Sequence, residues 1–193
     1  SSTELPVFMY EFPGFQPHLI SGKAYGEFAK TGKIFGIKDT TCTMEGIQSK
    51  IDNKYDSTII QANMPFLFDS YVAGARGVMA TPTSCGGAFF QRFHEAFVSG
   101  DMALAEQRYN EIILLDNAIE AAKQCDEKIV NVRFIQERNR KVIIIENTYN
   151  HVDLDMDKLF DKGYTTKNDT KNEHGLGLWT VRNILRKSSN LNL

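Results

Sequence analysis

The sequence predicts an α/β protein with a parallel sheet, from the pattern of its apolar residues. Short apolar or β-branched runs recur in the first half of the chain, at 7–10, 34–37, 58–61 and 77–80. They alternate with segments of helical spacing, at 22–30, 44–51, 65–73 and 88–98. Strands that alternate with helices indicate βαβ units, and covering helices allow the strands to be apolar on successive residues.

A different pattern follows in the second half. Segment 101–124 is predicted to be one long helix, because its apolar residues recur every three to five positions: Leu104, Tyr109, Ile112, Leu115, Ile119 and Ala122. Two strand-like runs come next, at 129–134 and 142–145, and a charged turn at 136–140 separates them. The first run alternates apolar and polar residues, which favours an antiparallel pair with one face in water. A further helix is predicted at 178–187.

Composition limits the classes of function. Of the 193 residues, 42% are hydrophobic and 24% are charged, as is usual for a globular protein. A net charge of -2 provides no electrostatic reason to expect nucleic acid or an anionic membrane as partner. No apolar run reaches the length of a membrane span, and the three cysteines are few and scattered. We therefore expect a cytoplasmic protein with free thiols.

A lysine and a tyrosine end two of the predicted strands. Lys38 follows the apolar run 34–37, and Tyr10 ends the run 7–10. Active sites of parallel α/β proteins lie at the C-terminal ends of the strands. A partly desolvated lysine amine can attack a carbonyl group there, and a nearby phenol can relay protons. From position alone, a solvated strand-end lysine and a packed tyrosine are the commoner alternative.

Three segments carry a family resemblance: 10–14 (Tyr-Glu-Phe-Pro-Gly), 36–41 (Gly-Ile-Lys-Asp-Thr-Thr) and 73–78 (Ala-Gly-Ala-Arg-Gly-Val). In order and spacing they resemble strands five to eight of the barrel in the dihydrodipicolinate synthase and N-acetylneuraminate lyase family, over about residues 3–118. A complete (β/α)8 barrel takes about 250 residues. The resemblance therefore implies half a barrel, with four βα units.

The same resemblance implies a chemistry. Lys38 resembles the lysine that forms a Schiff base with pyruvate or a related 2-oxo acid, and Tyr10 resembles the tyrosine that shuttles protons. Ala80 falls at the end of the last barrel strand, which lines the same pocket. No cofactor is implied for this half. Phe15 stands where the synthases of the family carry a carboxylate-binding arginine, so we do not expect their substrate specificity.

Three later features suit nucleotide binding. Asn117, on the long helix, offers a neutral oxygen that can complete a magnesium shell beside phosphates. Gly175 and Gly177 open the last predicted helix, where backbone N–H groups and the helix dipole favour an anion. Lys162 and Lys167 add positive charge nearby. Taken singly, a surface asparagine and a glycine turn are the commoner alternatives.

In this order they resemble the ATP-binding superfamily of histidine kinases and gyrase, over about residues 104–193. Segment 114–121 resembles its N-box, 159–167 its F-box and lid, and 175–178 its second glycine box. The resemblance implies ATP with Mg²⁺ as cofactors, with Asn117 as the metal ligand. It implies ATP-binding residues at Asn117, Asn147, Lys162, Gly163, Thr166, Lys167, Gly175 and Gly177. Segment 146–147 (Glu-Asn) replaces the usual Asp-x-Gly-x-Gly, as in quorum-sensing peptide-receptor kinases.

The sequence thus predicts a chimeric or fused chain. Residues 1–112 are assigned to an aldolase-type half barrel and residues 113–193 to a histidine-kinase-type α/β sandwich, with a shared helix at about 101–124. Expected partners are a nucleotide and pyruvate or another 2-oxo acid, with no nucleic acid and no membrane segment. Self-association into a homo-oligomer stays open. The alternatives are a Schiff-base lyase fragment alone and a folded chimera with neither activity, so enzymatic activity stays open too.

Overall fold

A computed structural model describes residues 5–15, 18–138, 140–150, 155 and 157–161. The strands are β1 (Val7–Tyr10), β2 (Ile34–Asp39), β3 (Thr58–Gln61), β4 (Gly77–Val78), β5 (Val130–Glu137) and β6 (Arg140–Asn147). The helices are α1 (Gly22–Ala29), α2 (Met44–Ile51), α3 (Leu67–Ala73), α4 (Thr83–Val98) and α5 (Met102–Lys123), and a 3₁₀ turn covers Met64–Phe66. The chain divides into two compact units, 1–109 and 110–193, and the functional division proposed at 112/113 stays a prediction.

The first unit contains the predicted parallel sheet. Its four strands lie in the order β1-β2-β3-β4, and each neighbouring pair is parallel. Gly36 of β2 allows the backbone of β3 and the ring of Phe8 to approach β2 closely. A Cβ atom at this position would lie 2.5 Å from the backbone oxygen of Thr58 and 2.8 Å from that ring. Because all neighbouring strands are parallel, the four strand C-termini lie at one edge of the sheet.

Side-chain caps begin several of the helices. Ser21 accepts a hydrogen bond from the backbone N–H of Ala24 before α1, and Thr43 accepts one from Gly46 before α2. The prediction for α4 was wrong at its start: the helix begins at Thr83 rather than at 88. Gly86 has non-helical angles (φ -115°, ψ 25°) inside this helix, so the apolar pattern becomes regular only after the kink.

The core of the first unit lies between the sheet and its helices. Ile37, Ile59 and Leu67 are fully buried, as are the rings of Tyr25 and Phe93. Burying a large apolar side chain contributes about 2 kcal/mol, so these contacts supply much of the stability of the unit. Hydrophobic burial therefore holds the helices to one face of the sheet.

The second unit contains α5 from Asn110 onward and an antiparallel pair, β5 and β6. The antiparallel prediction is confirmed, but the pairing extends to Glu137 and Arg140, so the turn is shorter than the predicted 136–140. Arg138 has a positive φ of 44°, which tight hairpin turns require. On α5 the six apolar residues whose spacing predicted the helix are buried or half-buried. Within the described residues, no helix combines the length and apolar character that a membrane span needs.

Candidate active site

Lys38 lies beside the tyrosine with which it was predicted to act. The two residues are Cα partners across the parallel pair of β1 and β2. Lys38 is half-buried, and its Nζ atom lies 4.3 Å from the centroid of the Tyr10 ring. A cation at this distance is attracted by the face of the ring. The two side chains are therefore in contact, through the ring face rather than through the phenol oxygen.

A cavity of about 330 Å³ lies at the C-terminal ends of the strands. Each of the four βα units contributes to it. Its lining comprises Tyr10, Phe12, Pro13, Gly14, Lys38, Thr40, Cys42, Ala62, Asn63, Met79, Ala80 and Thr81. The structure thus brings Tyr10, Lys38 and Ala80 into one cavity, at the edge of the sheet where the sequence predicts a site. Their chemical roles stay predictions.

Asn63 is a polar lining residue that sequence reasoning missed. It follows β3 directly, and its backbone N–H donates to Gln61 Oε1 over 2.7 Å. Its Nδ2 atom is buried, and none of the residues that the structure describes accepts a hydrogen bond from it. A buried donor without an acceptor is costly, and a ligand oxygen would remove that cost. Asn63 lines the cavity, and a rotation of its side chain would present this donor to a polar ligand there.

Thr40 and Cys42 also line the cavity and were not predicted, and Thr81 lines it beside Ala80, at the strand end that was predicted to do so. The Thr40 hydroxyl donates to the carbonyl oxygen of Glu11, and the Cys42 thiol donates to the carbonyl of Thr40 over 3.3 Å. All three follow strand ends within a few residues, as Asn63 does. Searching every strand end for polar residues would have found them.

Phe15, at the position of the expected arginine, belongs to an aromatic row beside the cavity. Its ring centroid lies 5.0 Å from that of Phe12, which in turn lies 6.1 Å from that of Tyr10. The Phe15 side chain is 85% exposed. It provides apolar surface at this position, and the expectation about substrate specificity stays a prediction.

Two of the predicted nucleotide-binding residues fall in the described part of the second unit. Asn117 lies on α5 and is half-exposed. Asn147 ends β6, and its Nδ2 atom donates to the carbonyl oxygen of Thr148 over 2.8 Å. The other six lie outside the described residues: Lys162, Gly163, Thr166, Lys167, Gly175 and Gly177. Whether these positions share one site therefore stays a prediction.

Asn117 has the chemistry of a magnesium ligand. In the described part of the chain, no group of three or more acidic, histidine or cysteine side chains could hold a metal ion. Mg²⁺ that is held by nucleotide phosphates needs only one or two protein ligands, because water and phosphate oxygens complete its octahedron. A half-exposed amide oxygen on a helix fits that requirement.

The second unit matches a known family. Residues 110–193 match the family model HATPase_c_5, described as the GHKL domain. This is the ATPase superfamily that the sequence resembles from about residue 104. The coarser prediction, an ATPase-type domain at the C-terminal end, is therefore confirmed.

A stretch of about 120 residues, longer than the first unit, is similar to a different group of proteins. The 4-hydroxy-tetrahydrodipicolinate synthase of Listeria innocua is 24% identical over 119 residues, which are 61% of this chain and 41% of that enzyme. The corresponding enzyme of Aliarcobacter butzleri is 22% identical over 120 residues, 62% of this chain and 41% of the enzyme. The chain spans about 41% of the length of these curated relatives.

Solved structures show the same similarity. YagE, a prophage protein of the dihydrodipicolinic acid synthase family from Escherichia coli K12 in complex with pyruvate, superposes with a TM-score of 0.57 at 21% identity, covering 62% of this chain and 42% of YagE. The dihydrodipicolinate synthase of Bacteroides thetaiotaomicron superposes with a TM-score of 0.57 at 16% identity, covering 65% and 43%. These likenesses show the fold: the parallel sheet and its helices resemble part of a synthase barrel.

Proposed function

We propose that the first unit forms an imine between Lys38 and a 2-oxo acid such as pyruvate. The observation that carries the proposal is the cavity itself. It holds a half-buried lysine, the Tyr10 ring and the buried, unsatisfied amide of Asn63. The likeness to a protein solved in complex with pyruvate supports the choice of ligand.

The proposed reaction forms a bond between Lys38 Nζ and the 2-oxo carbon and breaks both bonds between that carbon and its oxygen. The Lys38 ammonium first loses a proton to solvent. The lone pair of the neutral amine then attacks this carbon, and the carbonyl π electrons move to oxygen. The resulting carbinolamine then loses that oxygen as water. The water carries away the amine protons, and a C=N bond remains. Tyr10 lines the same cavity and its ring lies against Lys38, so its phenol is proposed to move a proton during this loss.

Asn63 is proposed to orient the ligand. A rotation of its side chain would turn the unsatisfied Nδ2 donor towards a carboxylate oxygen of the 2-oxo acid, and a hydrogen bond to a charged group is worth about 1.5–3 kcal/mol. The exposed Phe15 supplies no positive charge to compete with Asn63 for the carboxylate of the 2-oxo acid. We therefore expect Asn63 to contribute more of the binding free energy here than it would in a site that also had the arginine.

Borohydride reduction with pyruvate, followed by peptide mass spectrometry, tests the proposal. The reduced adduct should appear on Lys38 and be lost in Lys38→Ala. Lys33→Ala is the matched control, because Lys33 is exposed and directly precedes β2. Asn63→Asp, which keeps the side-chain shape but adds a charge that repels carboxylate, should raise the half-saturating pyruvate concentration about tenfold or more. An adduct spread over many lysines, or one retained in Lys38→Ala, would refute the assignment.

For residues 110–193 we propose nucleotide binding, as in the ATP-binding module of a sensor histidine kinase. The family-model match carries this second proposal. Asn117 would hold Mg²⁺ that bridges the phosphates, and that metal would neutralise phosphate charge. Lys162, Lys167, Gly175 and Gly177 would contact the phosphates, and Asn147 would lie near the adenine.

Thermal unfolding with ATP tests the second proposal. A ligand that binds only the folded state stabilises it, by about 2.7 kcal/mol at a hundredfold excess over its Kd. The melting temperature rises as a result. The rise should require Mg²⁺, and Asn117→Ala should remove the metal dependence. Asn131→Ala, at an exposed asparagine of β5, is the control. No shift at millimolar ATP would refute nucleotide binding, and failure of both tests would leave a folded chimera without either activity.

A further inference from the structure

A second row of side chains lies on the other side of the strands that carry the candidate site. Glu11, Asp39 and Gln61 directly follow Tyr10, Lys38 and Ile60, and all three are fully buried. Successive side chains of a strand point to opposite faces of the sheet. Tyr10 and Lys38 line the cavity, so this row faces the helices behind it.

Lys50 of α2 completes the row. Its side chain is 1% exposed, and its Nζ atom lies 2.5 Å from Glu11 Oε1 and 2.7 Å from Asp39 Oδ2. The backbone N–H of Ile20 donates to the other Glu11 carboxylate oxygen, Oε2. We call Glu11, Asp39, Gln61 and Lys50 the buried polar layer.

Asp39 and Gln61 each hold the chain that follows their own strand. Thr41 donates to Asp39 Oδ1 from its backbone N–H over 2.9 Å and from its hydroxyl over 2.7 Å. Gln61 Oε1 accepts from the backbone N–H groups of Ala62 and Asn63 over 2.8 and 2.7 Å. The layer thus fixes the loops that carry the cavity lining.

Stability alone is a weak explanation of this arrangement. Two carboxylates and one ammonium are removed from water, and the loss of hydration largely offsets their attraction. Well-packed apolar residues would stabilise such a position equally well. Charged groups, however, accept only a narrow set of distances and directions, so they specify where the strand ends lie.

The layer connects directly to the backbone of the reactive pair. The backbone N–H of Glu11 donates to the carbonyl oxygen of Lys38 over 3.3 Å, and the Thr40 hydroxyl donates to the carbonyl oxygen of Glu11. We propose that Glu11, Asp39 and Lys50 are positioning residues that hold the ends of β1 and β2 so that Lys38 lies against Tyr10 in the cavity. The proposal rests on the proposed function of Lys38.

Three variants separate positioning from stability. Lys50→Met removes the ammonium and leaves two buried carboxylates facing each other. The triple variant Glu11→Gln, Asp39→Asn, Lys50→Met keeps the shapes but removes every charge. Lys30→Met is the matched control, because Lys30 also pairs with a carboxylate, Glu27, over 2.9 Å but is 48% exposed.

The readouts are thermal unfolding and the rate of pyruvate trapping on Lys38. Lys50→Met should lower both, with trapping slower by about tenfold or more, since small misplacements of reacting groups have effects of this size. The triple variant should recover most of the melting temperature while trapping stays slow, and Lys30→Met should change neither. Trapping that recovers together with the melting temperature would overturn the positioning role and leave a purely structural layer. If Lys50→Met does not fold, the triple variant alone decides.

A second readout separates failure of this inference from failure of the proposed function. The rate of acetylation of Lys38 by acetic anhydride is measured relative to that of the exposed Lys23 and Lys33. If the unmodified protein forms no pyruvate adduct, the imine proposal fails, and the acetylation ratio still tests positioning. The ratio should differ by about threefold or more between the unmodified protein and the triple variant. An unchanged ratio would overturn the inference.

Discussion

The buried phenol of Tyr71 should make the first unit lose stability at alkaline pH. Tyr71, on α3, is fully buried between the rings of Phe93 and Phe97, at centroid distances of 4.9 and 5.2 Å. Its hydroxyl lies 3.2 Å from His94 Nδ1. Burial raises the pKa of Tyr71 from 10.0 to about 12, and the nearby Arg76 only partly opposes this rise.

The sign and size of the effect follow from this raised pKa. Between pH 10 and 12 the unfolded chain has lost the phenol proton while the folded chain keeps it, so the unfolded state binds fewer protons. The free energy of unfolding therefore falls as pH rises, by about 1.4 kcal/mol per pH unit in this window. The contribution is fully present below pH 10 and lost as pH passes through the folded-state pKa of about 12.

Urea unfolding at about pH 9 and about pH 11 measures the effect. The decrease in unfolding free energy between these pH values should be smaller in Tyr71→Phe than in the unmodified protein, by about 1 kcal/mol. Lysines and the other tyrosines titrate in both proteins, so the comparison removes their contributions. Tyr55→Phe, at a tyrosine that is 51% exposed, is the control for loss of a phenol that is not buried.

Equal pH dependence in Tyr71→Phe and the unmodified protein would refute this reasoning. It would mean that the phenol ionises as easily in the folded protein as in the unfolded chain. A difference in unfolding free energy between the two proteins that is already present at the lower pH would not refute it. Tyr71→Phe also removes the contact with His94, which is worth about 1 kcal/mol at either pH.

Two further predictions concern packing and turnover. Gly36→Ala should destabilise the protein by about 2 kcal/mol or more in urea unfolding, since the new methyl group would collide with Thr58. Gly87→Ala is the control: the space around Gly87 is open, so this change should be neutral or slightly stabilising. The 193-residue chain should release no pyruvate from 2-oxo sugar acids in a coupled assay, because the Tyr10 side chain is 54% exposed and water screens the charges at the cavity. Release that disappears in Lys38→Ala would contradict the second prediction.

Much of the first unit could be predicted from local sequence patterns. The apolar runs that contain Ile37 and Ile59 identify strands, since a strand covered by helices excludes polar residues from its core-facing positions. The start of α4 could not be predicted in this way. Its first turns contain Gly86 and Gly87, and a kinked, glycine-containing segment has no regular apolar period.

The sequence by itself determined the order of strands and helices, and it placed Lys38 and Tyr10 at strand ends. These properties depend on neighbouring residues and on the alternation of side chains along a strand. Its motifs likewise resemble those of a nucleotide-binding domain over about residues 104–193, and the family model matches residues 110–193.

Only the tertiary structure decided which of these residues meet. Asn63 joins Lys38 in one cavity, and Lys50 joins Glu11 behind it, because strand order and register set the distances between residues remote in sequence. Local patterns carry no information about such distances. The sequence alone does not show that Asn63 Nδ2 is buried or that the Lys50 ammonium pairs with two carboxylates, since burial and charge pairing are properties of the packed chain.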